Sequence, residues 1–319
     1  MDKPNVLIIT TGGTIASTQD SSLIAGHQLV QAVPQLLQLA NIEVEEHIRI
    51  GSSKITPNHW LNLARRIKQI LHERKDLTSI VITHGTDTME ETAYFLHLVH
   101  NSPVPIILTG SMRRSDDVSP DGPANLISAV RTGIDKQSVG RGVMVVMNDN
   151  IYSSRDIRKV HNTRTDAFYP GEEGFLGAVG SHEVTYYRRS STASGAFSTL
   201  DLQTIGEFPS VDLTHDFTGY DEGLLNFFLD RPHKGLVVAT FAGGRSSAAI
   251  NRYLTNPSTD KIIVVTSSIP EGAITRQPNY HSSIIISKDL TPRKTRVLMI
   301  LALSQTKDRA SIQEIFDQF

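Results

Sequence analysis

Two short segments of this sequence carry hydroxyl groups, glycines and a carboxylate in patterns that suit nucleophilic catalysis. Residues 11–14 are Thr-Gly-Gly-Thr, and residues 83–88 are Thr-His-Gly-Thr-Asp-Thr. Thr14 and Thr86 are candidate nucleophiles, but a threonine hydroxyl is unreactive near neutral pH unless a base lies beside it. An alternative interpretation of residues 11–14 is a tight turn or an anion-binding loop, since glycine lets the backbone bend sharply. The residues alone leave both interpretations open.

A base for either threonine must come from elsewhere in the chain. Lys159 lies in the charged segment 155–159, and a lysine serves as a base only where burial or a neighbouring cation favours its neutral form. The simpler interpretation of Lys159 is a solvated surface charge. Asp87 also has two interpretations, because it can take part in catalysis or form a capping box with Glu90 at the start of a helix.

Several other kinds of site are excluded or not expected. The chain has no cysteine, which excludes disulfides, thiolate metal sites and a cysteine nucleophile. His97 and His100 share a predicted helix without an acidic third ligand, and no H-E-x-x-H pair occurs, so we expect no metal and no cofactor. The full G-x-G-x-x-G spacing of a dinucleotide site, the nucleophile elbow and the kinase signature are all missing.

Composition and charge indicate a globular chain of two domains, since 319 residues exceed one ordinary core. The formal net charge is −2 and basic residues form no stripe, so neither nucleic acid nor an anionic membrane is an expected partner. No apolar run approaches the ~18 residues of a membrane span. The first predicted strand begins at residue 5, so we expect no secretory signal and a cytoplasmic protein, or a periplasmic one if a leader has been removed.

The elements that must position these residues alternate between strands and helices. Each candidate segment follows a continuous apolar run, the pattern of a strand buried on both faces of a parallel sheet. Right-handed βαβ units with helices on both faces are therefore expected, and both polar segments should face one pocket at the carboxyl ends of their strands. The predicted strands are 5–10, 44–50, 79–83, 105–109 and 142–147. The predicted helices are 27–40, 57–74, 89–100 and 122–134, and in the first of them Pro34 is expected to kink the helix or begin a new one.

The periodic pattern stops over residues 190–210, where small polar residues predict an inter-domain linker. We therefore expect an N-terminal α/β domain of residues 1–189, a linker of residues 190–210 and a C-terminal α/β domain of residues 211–319. The clearest predicted elements of the second domain are strands 235–240 and 261–266 and helices 293–305 and 310–319.

Taken together and in this order, these segments resemble the bacterial L-asparaginases and glutaminase-asparaginases. Residues 11–16 (TGGTIA) match the first family signature, and residues 84–93 (HGTDTMEETA) match the second. The chain is more similar to the high-affinity, usually exported form. Shorter matches are residues 51–52, 110–113, 121–123, 145–149, 155–159 and 305–308.

The resemblance implies a larger flavodoxin-like N-terminal domain and a smaller Rossmann-like C-terminal domain, assembled as a tetramer of intimate dimers. It also implies an amidohydrolase that converts L-asparagine to L-aspartate and ammonia, with hydrolysis of L-glutamine left open. By this resemblance Thr14 is the nucleophile that forms an aspartyl ester, while Thr86, Asp87 and Lys159 handle protons. The substrate-binding positions carried over are Gly13, Ser52, Ser53, Gly85, Thr86, Asp87 and Ser111.

The chain departs from the family pattern at two places. Leu23 stands where the family carries a loop tyrosine that activates the nucleophile and closes the site. Arg245 stands where the neighbouring subunit usually supplies an asparagine, and no glutamate aligns within residues 276–283, so Arg245 or Tyr280 is the alternative contribution. Two interpretations follow: a working asparaginase with an altered lid, or a low-turnover member that binds an amino acid or a partner. The presence of both threonines with Lys159 favours the enzyme.

Overall fold

The computed structural model describes residues 3–16 and 26–319, so the predicted lid position, Leu23, lies outside the described residues. The chain divides into two compact units, Met1–Thr204 and Ile205–Phe319. Each unit has its own sheet, which confirms the predicted α/β class with two domains. The division falls within the predicted linker, whose bounds of 190 and 210 stay a prediction.

The N-terminal unit is built on an eight-stranded sheet. The five strands that carry the site run parallel in the order β2-β1-β3-β4-β5, which is the flavodoxin-like order. Three further strands extend the β5 edge through antiparallel pairings. The eight strands are β1 (Asn5–Thr10), β2 (Asn41–Glu46), β3 (Leu77–Thr83), β4 (Ile106–Thr109), β5 (Val143–Met147), β6 (Asn150–Ser153), β9 (Gly177–Val179) and β10 (Val184–Tyr186).

Helices cover both faces of this sheet. Val6 and Ile8 of β1 join a buried cluster with one set of helices, while Leu7 and Ile9 are buried on the opposite face, as alternation along a strand requires. On that opposite face two helices pack together, and one of them contacts β5. The first set is α1 (Gly26–Gln31), α2 (Leu36–Leu39) and α5 (Gly122–Ile134), and the second is α3 (Pro57–Glu73) and α4 (Met89–Val99).

Two sequence predictions for the N-terminal unit need correction, the bounds of one strand and one helix cap. The strand predicted over 44–50 is β2, Asn41–Glu46, so the residues after 46 lie beyond the sheet. The helical pattern over 27–40 is divided around Pro34 into two short helices, as expected because proline lacks the N–H of a helix interior. The predicted capping box of Asp87 with Glu90 is wrong, because the N-cap of α4 is Thr88 and makes no side-chain cap bond. By contrast, α3 begins at Pro57 as predicted, and Thr56 is its capping residue.

The C-terminal unit has a four-stranded parallel sheet in the order β11-β12-β13-β14. Strands β12 and β13 were predicted, and so were the last two helices, α8 and α9. One helix, α8, packs against three of the strands. The elements are β11 (Val211–His215), α6 (Glu222–Asp230), β12 (Gly235–Thr240), α7 (Ala248–Thr255), β13 (Ile262–Ser267), β14 (Ile285–Ile286), α8 (Pro292–Gln305) and α9 (Arg309–Asp317). Within the described ranges, no helix is both long and apolar enough to cross a membrane.

Candidate active site

The two polar segments lie side by side at the carboxyl edge of the N-terminal sheet. Strands β1 and β3 are parallel neighbours with Thr10 opposite Thr83, so the residues that follow each strand leave the sheet at the same level. Thr11 joins the segments twice, because its N–H and its Oγ1 both donate to the Thr83 carbonyl oxygen, at 3.1 and 2.9 Å. The pairing predicted from the apolar runs therefore holds at the residues that matter for chemistry.

Two glycines let three backbone segments meet at this edge. A Cβ on Gly13 would lie 2.4 Å from the Cα and N of Gly85, and one on Gly85 would lie 2.6 Å from the Ser52 Oγ. Gly13 also has a φ of +89°, which L side chains rarely adopt. The contacts bring the segment that carries Thr14 against the segment that carries Thr86.

Ser52 fastens its own short turn to the segment that follows β3. The 3₁₀ turn Ser52–Lys54 follows β2 along the chain. The Asp87 N–H donates to the Ser52 Oγ over 3.2 Å, and the Thr88 Oγ1 donates to the Ser52 carbonyl oxygen over 2.9 Å. Ser53 lies on the same turn but is exposed, and it takes no part in these contacts.

Lys159 contacts both functional side chains of the second segment. Its Nζ lies 2.8 Å from the Thr86 Oγ1 and 2.8 Å from the Asp87 Oδ1. The Lys159 side chain is 16% exposed, while that of Asp87 is 63% exposed. Lys159 is therefore no solvated surface charge. The three residues form a hydrogen-bonded group with Asp87 at its solvent side.

The backbone of Lys159 is held by the buried carboxylate of Glu90, for which the sequence pattern suggested only a helix cap. Lys159 belongs to the two-residue strand β7 (Arg158–Lys159), which pairs with β8 (Phe168–Tyr169). The Lys159 N–H donates to the Glu90 Oε2 over 2.9 Å, and Glu90 is buried. The spacing of three residues between Asp87 and Glu90 suggested that Glu90 belongs to a helix cap. Instead, Glu90 accepts a hydrogen bond from Lys159, which lies 69 residues away along the chain.

A buried ion-pair network supports the segment just before β7. Asp156 accepts from Arg155 over 3.1 Å and from Arg188 over 3.4 Å. Burial lowers the pKa of Arg158, whose guanidinium carbon lies 4.8 Å from the centre of the Tyr169 ring. Such paired charges and packed side chains limit the positions open to Lys159.

Thr14 and Ser111 complete the predicted set. Thr14 opens the 3₁₀ turn Thr14–Ala16 and is half-buried. Ser111 is buried, and its Oγ donates to the Arg113 carbonyl oxygen over 2.7 Å. Beside Ser111, a Cβ on Gly110 would lie 2.4 Å from the His84 carbonyl oxygen and 3.5 Å from the Thr86 Cγ2. The turn after β4 thus borders the same group.

Three buried histidines belong to the same domain. Burial lowers the pKa of His84, His97 and His100 to about 4 in each case, because a charged imidazolium is poorly stabilised away from water. Within residues 3–16 and 26–319, no group of three or more histidine, aspartate or glutamate side chains could hold a metal ion.

Comparison with known proteins shows the family to which this chain belongs. The family model described as "Asparaginase, N-terminal" matches residues 5–192, and the model of the "Glutaminase/Asparaginase C-terminal domain" matches residues 210–316. The chain belongs to the asparaginase family. This result confirms the family resemblance of the sequence.

Relatives of this asparaginase-family chain match it over nearly its whole length. It is 36% identical to a probable periplasmic L-asparaginase of Haemophilus influenzae, covering 100% of this chain and 94% of the relative. It is 34% identical to a glutaminase-asparaginase of Pseudomonas fluorescens, covering 99% and 90%. A crystal structure of a probable cytoplasmic L-asparaginase from Campylobacter jejuni matches with a TM-score of 0.92 and 35% identity, covering 99% of this chain and 100% of that one.

The two residues considered for the neighbouring subunit differ in their surroundings. Tyr280 is buried in the core of the C-terminal unit, where its hydroxyl donates to the Gly244 carbonyl oxygen, so it is engaged within its own domain. Arg245 follows the 3₁₀ turn Ala242–Gly244 and is exposed. A contribution of Arg245 to a second copy stays a prediction, as does the compartment of the protein.

Proposed function

We propose that this protein hydrolyses the side-chain amide of L-asparagine to L-aspartate and ammonia. The observation that carries the proposal is the contact of the Lys159 Nζ with the Thr86 Oγ1 and the Asp87 Oδ1, each at 2.8 Å, beside the segment of Thr14. A threonine needs such a proton-exchanging group to act as a nucleophile. The names of the relatives, L-asparaginase and glutaminase-asparaginase, support the same reaction.

In the first half-reaction, the Thr14 Oγ1 attacks the amide carbon and its proton passes to the group formed by Thr86, Lys159 and Asp87. The carbon–nitrogen bond breaks, and the leaving nitrogen takes up a proton and departs as ammonia. The substrate is left as an ester on Thr14. In the second half-reaction, water attacks the ester carbon and the Thr14 oxygen regains its proton. Proton transfer by a positioned side chain typically contributes about 10²–10⁴-fold.

The charged groups of the amino acid find complementary partners in the proposed site. The Asp87 carboxylate attracts the α-ammonium group. The Ser52 Oγ accepts a hydrogen bond from the Asp87 N–H, so its own hydrogen remains available for the α-carboxylate. The proposed substrate site is also lined by Gly13, Ser53 and Gly85. The backbone of Thr86 and the turn at Ser111 lie on the oxyanion side.

The threonine nucleophile, the substrate contacts and the assembly of the chain as a homotetramer all belong to this proposal. The alternative function, an amino-acid-binding member with little turnover, is favoured by one residue, Leu23 at the position of the lid tyrosine. A leucine can neither relay a proton nor hydrogen-bond a threonine. The two functions differ in one measurable quantity, the rate of ammonia release.

The test is an ammonia assay with L-asparagine, L-glutamine and their D-isomers, run on the parent protein and on Thr86→Val. We expect ammonia from L-asparagine with the parent and none above background with Thr86→Val, because valine keeps the shape of threonine but removes its hydroxyl. Thr86→Val removes one buried hydrogen bond and should lower the melting temperature only modestly, so both proteins should be folded at the temperature of the assay. No ammonia from any substrate, together with thermal stabilisation by L-asparagine, would instead support the binding function.

A further inference from the structure

His84 lies directly between strand β3 and the Gly85–Thr86 turn, and the proposed reaction makes no use of its side chain. The residue is 1% exposed. Its Nδ1 lies 2.7 Å from the Gly85 carbonyl oxygen, and its Nε2 lies 3.0 Å from the Thr92 Oγ1. Both ring nitrogens therefore have a partner, one of them in the backbone of the turn.

The partners determine where the protons lie. A carbonyl oxygen can only accept, so the Nδ1 must donate to Gly85. The Trp60 Nε1 donates to the Thr92 Oγ1 over 2.9 Å, which leaves the Thr92 hydroxyl hydrogen free to be donated to the His84 Nε2. Each polar group in the series of hydrogen bonds from Trp60 through Thr92 and His84 to Gly85 then has a partner, and the imidazole is neutral. Burial, which lowers the pKa of His84 to about 4, agrees with this neutral form.

The bond to Gly85 also sets the direction of the next N–H. Gly85 C=O and Thr86 N–H belong to one planar trans peptide, in which the two groups point in opposite directions. Because the Gly85 oxygen points at the buried imidazole, the Thr86 N–H points to the other side of the turn. Thr86 is 4% exposed, and its N–H has no acceptor among the residues that the structure describes. The next N–H along the chain, of Asp87, is by contrast bonded to Ser52.

A buried N–H without an acceptor is costly unless something fills its place. At this position a developing oxyanion would fill it, because the proposed nucleophile segment contacts the same turn through Gly13. We propose that His84 is a positioning residue that holds the Thr86 N–H toward the substrate oxygen during the reaction. The inference rests on the proposed function and deepens it, since it names the group that orients a donor of the oxyanion site.

Two substitutions of His84 separate this role from that of an ordinary core histidine. In His84→Asn the side-chain amide stands where the Nδ1 stood and can donate to the Gly85 oxygen, while the bond from Thr92 is lost. In His84→Gln the amide reaches toward Thr92, and the bond to Gly85 is lost. Both side chains are neutral and polar, so the two variants differ mainly in which hydrogen bond they retain, the one to Gly85 or the one from Thr92.

We expect His84→Gln to lower kcat by about 10–100-fold, somewhat less than the loss of a whole oxyanion donor, with little change in KM. His84→Asn should retain a kcat at least about tenfold above that of His84→Gln, because the orientation of the turn is kept. Thr92→Ser should behave as the parent. Thr132→Val is a matched control, since it removes another buried hydroxyl, whose partner is the Ser128 carbonyl oxygen, and should lower the melting temperature without changing kcat.

The experiment measures kcat, KM and melting temperature for all five proteins in one ammonia assay. Equal kcat values for His84→Asn and His84→Gln, with only their melting temperatures lowered, would show a purely structural histidine and overturn the inference. A parent that releases ammonia in that experiment keeps the proposed function intact. A parent without turnover would overturn both.

Discussion

His100 is a buried histidine that should make the stability of the N-terminal domain depend on pH. The residue follows the end of α4, is 6% exposed, and has no protein partner for its Nε2 among the described residues. Burial lowers its pKa to about 4, and the positive charge of Lys68 acts in the same direction. The substitution His100→Phe keeps a ring of similar size and removes both the titrating group and the unpaired nitrogen.

The expected magnitude follows from proton linkage. In the unfolded chain the pKa of a histidine is about 6.5. Between pH 6.5 and pH 4 the unfolded state therefore binds a proton at His100, whereas the folded state does not. The free energy of unfolding is unaffected by this group above about pH 7, falls as the pH drops from 6.5 toward 4, and falls no further below 4. Between pH 7.5 and pH 5 the loss is about 2 kcal/mol for one such histidine.

The single tryptophan of the chain, Trp60, lies in the N-terminal domain and allows the unfolding of that domain to be followed by fluorescence. It stacks on Phe95 with ring centres 5.5 Å apart in the N-terminal unit, so its fluorescence in urea reports unfolding there. The pH-dependent loss of stability should be about 2 kcal/mol smaller in His100→Phe than in the parent. The non-titrating control Thr132→Val should keep the loss of the parent. An equal loss in His100→Phe and the parent would show that protonation of His100 does not cause this part of the pH dependence.

Three further outcomes are expected. Lys159→Met should lower kcat by about 10²–10⁴-fold, because methionine cannot exchange a proton; a kcat near that of the parent would contradict the role of the lysine. Gly13→Ala should lower both turnover and melting temperature, since its Cβ would lie 2.4 Å from backbone atoms, while Gly140→Ala, with a φ of +72° but nothing within 4 Å, should leave turnover unchanged. Leu23→Tyr should raise the rate of ammonia release, because the hydroxyl could join the nucleophile, and an unchanged or lower rate would count against that idea.

The sequence predicted the centre of the N-terminal sheet well because its strands are continuous apolar runs. Strands β1 and β3 are buried along nearly their whole length, and such runs between helical patterns identify parallel strands. The antiparallel edge of the sheet, beyond β5, was not predicted. Strands β6, β9 and β10 have only three or four residues each, too few for a periodic pattern to show.

The site was predictable in part for the same physical reason. Thr14 and Thr86 follow central strands, so their proximity follows from topology. The contact of Lys159 with Thr86 depends on β7, a strand of two residues, and on a carboxylate 69 residues away along the chain. Neither leaves a periodic signal. Without the family resemblance, the sequence could not decide whether Lys159 is a base or a solvated surface charge.

His84 and Glu90 show the other limit of local patterns. Both lie within the second signature, but the hydrogen bonds that start from them reach distant elements. Glu90 accepts from the backbone of Lys159, and the imidazole chain reaches Trp60 of α3 through Thr92. A histidine or glutamate beside a catalytic segment is a signal worth testing, although only the fold shows which group it holds.

In the proposed reaction, Thr14 carries the substrate as an ester. The most direct measurement is rapid acid quenching of the protein during turnover of L-asparagine, followed by mass spectrometry of the peptide that contains Thr14. We expect one aspartyl group on that peptide in the parent and none in Thr14→Ala, which should also release no ammonia. An aspartyl group on another peptide, or ammonia release by Thr14→Ala at the rate of the parent, would contradict it.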